Sequence, residues 1–203
     1  GRFGSSVVGK TVWTKKRKGP KTRFGWGTAA SPVRHKDRLY LVNDNEEDSY
    51  RLALNKKTGK EIWRVKRKEK SNWATPFIWK NARRTEIITP GTGKVRSYSL
   101  TGKLLWTLKG MSSITIATPY EHNGLLFVTS GYVLSALRPI YAIRPGATGD
   151  LTLPKGKTES KWIAWSNPKA APYNPSTLIY RNNLYVLYDR GIITAYNQIG
   201  RAH

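Results

Sequence analysis

The chain contains no cysteine and few acidic residues. Because it has no thiol, it has neither a disulfide framework nor a thiolate metal site. Its 12 Asp and Glu stand against 36 Lys and Arg, and no acidic residue precedes Asp37. The resulting formal charge of +24 favours contact with anions but does not indicate a fold.

Long apolar runs are also missing. The longest uncharged stretch near the middle, NGLLFVTSGYVLSAL, is too short and too rich in Gly, Ser and Thr to cross a bilayer. The first residues lack the apolar run of a signal peptide, and the chain opens on Gly1, so we expect a mature or truncated protein. With 38% hydrophobic residues, eight Trp and eleven Tyr, it has enough material for a packed core. We therefore expect a soluble globular chain without a transmembrane segment.

Short runs of Val, Ile, Leu, Thr and Tyr alternate with Gly, Pro and Asn turns, and no long stretch has helical spacing. Four such runs predict strands: RLYLVN at 38–43, RTEIIT at 84–89, GLLFVTS at 124–130 and NLYVLYD at 183–189. The pattern predicts an all-β fold.

These strands belong to an internal repeat. A proline precedes each of them, at positions 32, 76, 119 and 175. Two of the intervals are about 43 residues, and the last is longer by about the length of a polar insertion at 146–160. Four short strands in a period of about 43 residues are typical of a β-propeller blade, here of four antiparallel strands. The predicted units are an outer strand with a basic connection at 1–28, blades at 29–66, 72–109 and 114–166, and an incomplete last blade at 174–200.

A Thr-Gly-Lys turn followed by a tryptophan recurs along the chain. A blade has two faces and buries neither alone, and an indole at a fixed place gives each blade a large flat surface, about 150 to 250 Å², for its neighbour. Glycine lets the backbone reverse with positive φ, and lysine can lay its methylenes on an indole. The residues expected to dock blades in this way are Thr58, Gly59, Lys60, Trp63, Thr101, Gly102, Lys103, Trp106 and Trp165.

The segment Ala53-x-Asn55-x-x-Thr58-Gly59-Lys60-x-x-Trp63 resembles the tryptophan-docking motif of quinoprotein-like propellers, the pyrroloquinoline quinone (PQQ) repeat family, with Asn55 at the usual Asp position. Residues 98–106 are a shortened copy. Neither the Trp-Asp pair of WD40 repeats nor the Gly-Gly pair of kelch repeats occurs. Nearly the whole chain is similar to uncharacterised bacterial PQQ-binding-like propellers, which implies a periplasmic or secreted protein.

The resemblance also bears on the size of the ring. Family members usually have seven or eight blades, which implies that the four periods here are an arc of a larger propeller. Further blades of a longer chain, or a partner, would then cover the exposed sheet edges. The alternative is that the two ends complement one another in a small four-bladed ring.

Enzymes of this family hold PQQ and calcium at the propeller axis, so both cofactors are implied by the resemblance alone. The sequence shows no catalytic residues and no metal site. The acidic cluster 44–48 lacks the alternating spacing of a calcium loop and favours a solvated loop. TPGTGKV at 89–95 lacks two residues of a phosphate loop and favours a hairpin, and His35, His122 and His203 are isolated in sequence.

The remaining candidate site is the axial mouth, lined by residues that precede each innermost strand. These positions mix stacking and hydrogen-bonding groups, and core packing or hairpin support also explains each one singly. They are Arg23, Trp26, Asn72, Trp73, Thr115 and Asn174.

Three functional hypotheses follow. The first is a non-catalytic propeller that acts as a scaffold for a protein or polymer. The second is part of a PQQ-dependent oxidoreductase whose other ligands lie on further blades. The third is a binder of polyanions, such as nucleic acid, acidic polysaccharide or an anionic membrane surface, through the basic segments 10–23 and 64–70, which we expect on outer strands and connections.

Overall fold

The computed structural model of the protein describes residues 2–7, 9–16, 19–197 and 201–202, with side chains for 9–16 and 19–197. In these residues the strands form one hairpin and four larger sheets, each built on an antiparallel meander of four strands. The hairpin consists of β1 (Arg2–Val7) and β2 (Lys10–Lys16). Sheet 1 contains β3 (Val33–His35), β4 (Arg38–Asn43), β5 (Tyr50–Asn55) and β6 (Glu61–Lys66). A single 3-10 turn, Arg23–Gly25, lies between the hairpin and sheet 1.

The next three sheets repeat this arrangement. Sheet 2 contains β7 (Phe77–Lys80), β8 (Thr85–Gly91), β9 (Lys94–Tyr98) and β10 (Leu104–Lys109). Sheet 3 contains β11 (Tyr120–His122), β12 (Leu125–Thr129), β13 (Ile140–Ile143) and, after the two-residue strand β14 (Gly149–Asp150), β15 (Ile163–Asn167). Sheet 4 contains β16 (Leu178–Tyr180), β17 (Asn183–Leu187), β18 (Ile193–Asn197) and β19 (Arg201–Ala202). The all-β prediction is confirmed. No helix among the described residues has the length and apolar character needed to span a membrane.

The hydrophobic core lies between successive sheets. One cluster joins Trp79 and Ile88 of sheet 2 to Leu126 and Ile143 of sheet 3. Another joins sheet 3 to sheet 4, and a smaller one joins sheet 1 to sheet 2. The middle strand β13 of sheet 3 is covered on both faces and is buried at every residue, whereas the outer strand β6 of sheet 1 has no buried residue.

Three prolines stand directly before the innermost strands, at Pro32, Pro76 and Pro119. Proline has no N–H to donate to a ladder, so the first position of an edge strand tolerates it. The repeat interval read from these prolines therefore measures the distance from one innermost strand to the next.

Two features differ from the sequence-based expectation. The last sheet does not stop after its third strand, since Arg201 and Ala202 pair with β18 as a short fourth strand. The polar insertion at 146–160 also adds to a sheet, because its strand β14 pairs in parallel with β10 and extends sheet 2 to five strands.

Candidate functional site

The six residues predicted for the axial mouth lie in the connections that lead to the innermost strands. Arg23 and Trp26 precede sheet 1, and Asn72 and Trp73 precede sheet 2. Thr115 precedes sheet 3, and Asn174 precedes sheet 4.

Backbone and side-chain hydrogen bonds bring Asn72, Trp73 and Thr115 together. The Thr115 N–H donates to Asn72 Oδ1 at 2.9 Å, and the Trp73 N–H donates to the Thr115 carbonyl at 3.0 Å. Asn72 Nδ2 donates to Thr92 Oγ1 at 2.8 Å. These polar groups are engaged with one another, so they fix the spacing of the second and third connections.

Arg23 and Trp26 join this group from the first connection. The Arg23 N–H donates to Ser71 Oγ at 2.9 Å. The indole centroids of Trp26 and Trp73 are 5.6 Å apart at 46°, and Trp73 Nε1 donates to the Gly27 carbonyl at 2.9 Å. The structure therefore places five of the six predicted residues in one cluster.

Phe24 belongs to the same surface but was not predicted. Its ring centroid lies 5.0 Å from that of Trp26, and the two side chains are 66% and 55% exposed. Phe24 has φ of 56°, a region that a bulky residue rarely adopts, and this turns its side chain outward from a sharply bent connection. The only sequence signal was its place beside Trp26 in RFGWG, where glycines permit the bend.

Two tyrosines complete the cluster from sheets 3 and 4. The rings of Tyr132 and Tyr173 are 5.2 Å apart, and both pack in a group that includes the buried Trp73. Burial raises the pKa of Tyr173, as do Tyr132 and Asp189, while the Arg23 charge opposes this rise. The charge of Arg23, in the connection before sheet 1, therefore acts on Tyr173, in the connection before sheet 4.

Asn174 is held by a different partner. Its Nδ2 donates to Asp189 Oδ1 at 2.9 Å, and its N–H donates to the same oxygen at 3.3 Å. It is exposed at the edge of the site beside Tyr173.

A buried ion pair lies between the first two sheets. Arg67 Nε and Nη2 donate to the two oxygens of Asp44 at 2.8 and 3.0 Å, and Arg67 Nη1 donates to Thr89 Oγ1 at 2.7 Å. Burial raises the pKa of Asp44 to about 6, although the charge and hydrogen bonds of Arg67 oppose this. The expectation of a solvated acidic loop is wrong for Asp44. Arg67 lies in the connection after β6, as expected for the basic run 64–70, but its side chain is buried there. Sequence alone does not show that these two oppositely charged residues, distant along the chain, meet.

The other acidic side chains near this end are also engaged. Glu69 is ion-paired with Arg96 and accepts the Thr92 N–H at 3.0 Å. Glu46 accepts the Ser71 N–H at 3.0 Å and its hydroxyl at 2.7 Å. Partial burial acts to raise the pKa of Glu46, but the hydrogen bonds from Ser71 and the charge of Lys70 favour the carboxylate and lower the pKa.

These engagements bear on PQQ and calcium, the cofactors that the family implies. Among the described side chains, no group of three or more His, Asp or Glu residues is placed to hold a metal ion. Trp26 and Trp73 are inclined to one another, so they do not form a parallel slot for a flat quinone. The described residues do not fit a PQQ and calcium site.

Two of the recurrent tryptophans, Trp13 and Trp63, contact the turn of the following sheet. Trp13 Nε1 donates to the Lys56 carbonyl at 2.9 Å, and a Cβ on Gly59 would lie 2.7 Å from the Trp13 ring. Trp63 Nε1 likewise donates to the Leu100 carbonyl at 3.2 Å, and a Cβ on Gly102 would lie 3.6 Å from its ring.

The other residues of the motif have separate positions. Thr58 and Thr101 lie within these turns, and Lys60 and Lys103 are exposed. Trp106 Nε1 donates to Glu86 Oε2 at 2.8 Å within its own sheet. Trp165 is half-buried against the cluster between sheets 3 and 4.

The basic segments border a groove between the hairpin and sheet 1. Its volume is about 440 Å³, its floor includes Leu52 and Tyr50, and Lys15, Lys16 and Arg64 line its sides. The Arg64 guanidinium lies 4.1 Å from the Tyr50 ring centroid. Acidic residues 47 and 48 line the same groove, so its charge is mixed.

Comparison with known proteins identifies the family. A family model described as outer membrane protein assembly factor BamB matches residues 6–139 and, displaced along the chain, residues 51–202. The chain belongs to this PQQ-repeat family. The two overlapping matches agree with an internal repeat. A search of the curated proteins gives no match.

Solved structures with the same fold are propellers that are longer than this chain. BamB from Moraxella catarrhalis is 15% identical with a TM-score of 0.62, and the match covers 96% of this chain and 54% of the BamB chain. A europium-containing methanol dehydrogenase is 11% identical with a TM-score of 0.64, and the match covers 95% of this chain and 44% of the dehydrogenase chain. The computationally designed protein Ika8 is 10% identical with a TM-score of 0.55, and the match covers 87% of this chain and 51% of the Ika8 chain. The chain thus spans about half the length of these structures, and its four sheets have the fold of part of a propeller, as the sequence predicted.

Proposed function

We propose that this protein is a non-catalytic propeller scaffold that binds a partner protein at the axial mouth. The observation that carries this proposal is the exposed pair of Phe24 and Trp26, fixed beside Arg23 on a hydrogen-bonded connection. Aromatic side chains and arginine are enriched among the residues that dominate binding energy in protein interfaces. A rigid connection also reduces the entropy lost when a partner binds.

The family supports a protein partner and a location outside the cytoplasm. The matching family is described as an outer membrane protein assembly factor. The scaffold would accordingly act in the periplasm or after secretion, and we propose this location for the present chain.

The dehydrogenase hypothesis is less well supported. A methanol dehydrogenase shares the fold, but its identity of 11% carries no functional inference. The carboxylates of Asp44, Glu46 and Glu69 are already bonded to protein groups. We expect no bound chromophore and no dye reduction when PQQ and calcium are added to the full-length protein, and either signal would favour the enzyme.

Site-specific photocrosslinking tests the scaffold. A photoreactive phenylalanine analogue at Phe24 is compared in the native cells with the same analogue at Leu104, which is also exposed but lies on the outer strand of sheet 2. We expect one discrete crosslinked protein from position 24, and its loss in the Trp26→Ala background. Equal yields at both positions, or none at position 24, would refute the proposal.

A second candidate, polyanion binding, is favoured by the cationic sides of the 440 Å³ groove. If Lys15 and Lys16 contact phosphates, the double change to Gln lowers affinity for a single-stranded oligonucleotide and reduces the salt slope by about two. The matched control changes Lys155 and Lys157, which are exposed on the insertion. Salt-insensitive binding, or equal losses in both double variants, would refute this function.

We further propose that another blade of a longer chain covers the outer face of sheet 4. Leu178, Tyr180, Leu187 and Ile193 are exposed there, whereas Leu184 of the same sheet is buried. A contiguous apolar surface on a sheet indicates a missing neighbour. We expect the 203-residue chain to bind a hydrophobic dye, and a longer chain that includes the flanking reading frame to bind less of it. Unchanged dye binding would contradict the proposal.

The contacts of Trp13 and Trp63 with Gly59 and Gly102 support a docking role for the repeated turns. We propose that each such indole sets the distance between one blade and the next. Trp106 and Trp165 would serve the same purpose in different surroundings.

A further inference from the structure

A cavity between sheets 3 and 4 has no place in the proposed scaffold function. Its volume is about 300 Å³, and it lies at the turns that follow the innermost strands. The candidate axial mouth is formed by connections that precede those strands, so the cavity is at the opposite end. A second opening of about 430 Å³ runs along β11 and β16 and shares His122 and Ile179 with it.

The walls of the cavity are mostly apolar. Leu125 and Phe127 contribute from sheet 3, and Ile179 and Leu184 contribute from sheet 4. The Phe127 ring stacks on Tyr120, with centroids 5.3 Å apart and planes inclined by 9°. This stacked pair presents a flat aromatic wall to which a further ring can be added.

The two innermost strands are held together near the cavity. Tyr120 Oη and Thr177 Oγ1 are 3.0 Å apart, so β11 and the start of β16 are joined by a hydrogen bond. The turns at the cavity rim are tight, with positive φ at Asn123 and Asn182, which asparagine tolerates better than most residues. The cavity is therefore bounded by fixed backbone.

His122 supplies a polar group without a partner. Its Nε2 is buried but makes no hydrogen bond within the described part of the chain, and the side chain lines both openings. A buried polar atom without a partner is costly, and a ligand that bonds to it removes that cost. An apolar pocket of this size with a single convergent polar group has the character of a small-molecule site.

We propose that this cavity binds a small uncharged aromatic alcohol or phenol. The ring would pack between Phe127 and Ile179. Its hydroxyl would bond to His122 Nε2 after a rotation of the imidazole, because this nitrogen is closed to solvent in the unliganded protein. The apolar walls favour an uncharged ligand because a charged one would lose its hydration without gaining a counter-charge. The site is independent of the proposed scaffold function, which concerns the other end of the strands.

The test uses p-cresol and toluene as probes, because they share a ring and methyl group and differ by the hydroxyl. With histidine labelled by ¹⁵N in the 203-residue protein, NMR titration follows the imidazole nitrogens of His122 and His35. We expect saturable p-cresol binding, about three- to tenfold tighter than toluene, with a shift at His122. His35 is the matched control, because it ends β3 as His122 ends β11.

Two variants separate the polar contact from the cavity. His122→Phe should remove the preference for p-cresol and leave toluene binding within about twofold, whereas His35→Phe should change neither. Leu125→Trp, at a half-buried position, should fill the cavity and abolish binding of both probes, with circular dichroism used to confirm folding. The proposal is overturned if neither probe saturates, if both bind equally to the unaltered protein, or if His35 shifts as His122 does.

Discussion

The contact between sheets 1 and 2 and the contact between sheets 2 and 3 use the same repeated tryptophan in different surroundings. Trp63 is half-buried and bonds to a turn carbonyl of the next sheet. Trp106 is 1% exposed, and its N–H bonds to the buried carboxylate of Glu86. The repeat therefore determines where an indole lies, but not how completely the surrounding residues bury it.

The insertion at 146–160 accounts for the difference. Its strand β14 pairs with β10 at Trp106 and Thr107, and Leu151 continues this contact by donating its N–H to the Thr107 carbonyl at 2.8 Å. Leu151 and Ala147 enter the core cluster around Trp106. Strand β10, which would otherwise be an exposed edge of sheet 2, is thereby paired. The contact between sheets 2 and 3 also gains the apolar side chains of the insertion.

The largest expected effect comes from removing Trp106, and it tests whether the second contact is the stronger one. Trp106→Ala should reduce the free energy of unfolding by about 3 to 5 kcal/mol, because it leaves a cavity in the core and removes a donor from Glu86. Trp63→Ala should cost less, since that indole is only half-buried. Urea unfolding of both variants measures the difference; equal losses would show that the insertion does not strengthen the second contact.

The contact between sheets 1 and 2 depends more on the buried ion pair of Asp44 and Arg67 than on its tryptophan. Arg67→Met should cost about 3 kcal/mol, because Asp44 then remains buried without its partner. The double variant Asp44→Leu with Arg67→Met should recover most of this loss, as replacing both charges removes the desolvation cost. If the double variant in urea unfolding is no more stable than Arg67→Met alone, packing rather than charge explains the loss.

Stability should also depend on pH through Asp44. Its folded pKa, raised to about 6 by burial, lies above the ordinary value of 3.8, so the folded state binds the proton more tightly than the unfolded state. This contribution is fully present below about pH 4 and is lost as the pH rises to about 6, by roughly 2 kcal/mol. Unfolding measured from about pH 4 to 7 should show this fall in the unaltered protein relative to Asp44→Asn. Parallel curves for the two proteins would contradict it.

The smallest expected difference, about 1 kcal/mol between two glycine variants, concerns Gly59, which lies against the Trp13 indole. Gly59→Ala should cost about 2 kcal/mol, because φ is +68° and the new Cβ would lie 2.7 Å from the Trp13 ring. Gly93→Ala is the matched control, with φ of +66° and no neighbour within 4 Å, and should cost about 1 kcal/mol. Equal thermal shifts for the two variants would mean that the indole does not constrain Gly59.

The candidate site was predicted in outline and incompletely. Arg23, Trp26, Asn72, Trp73 and Thr115 were found because the repeat showed which positions precede innermost strands. Phe24, Tyr132 and Tyr173 were missed, since a single aromatic in a connection has no periodic signal. Whether an aromatic faces solvent or a neighbouring blade depends on the bend of its connection.

The sequence by itself determined the all-β class, the four strand repeats and the place of the repeated Thr-Gly turns. Strand periodicity, proline and glycine are local properties, and a repeat multiplies their signal. Only the tertiary structure decided that Asp44 meets Arg67, that the insertion adds a strand to sheet 2, and that His122 borders a cavity. These features depend on contacts between residues distant in sequence, and such contacts leave no mark on local composition.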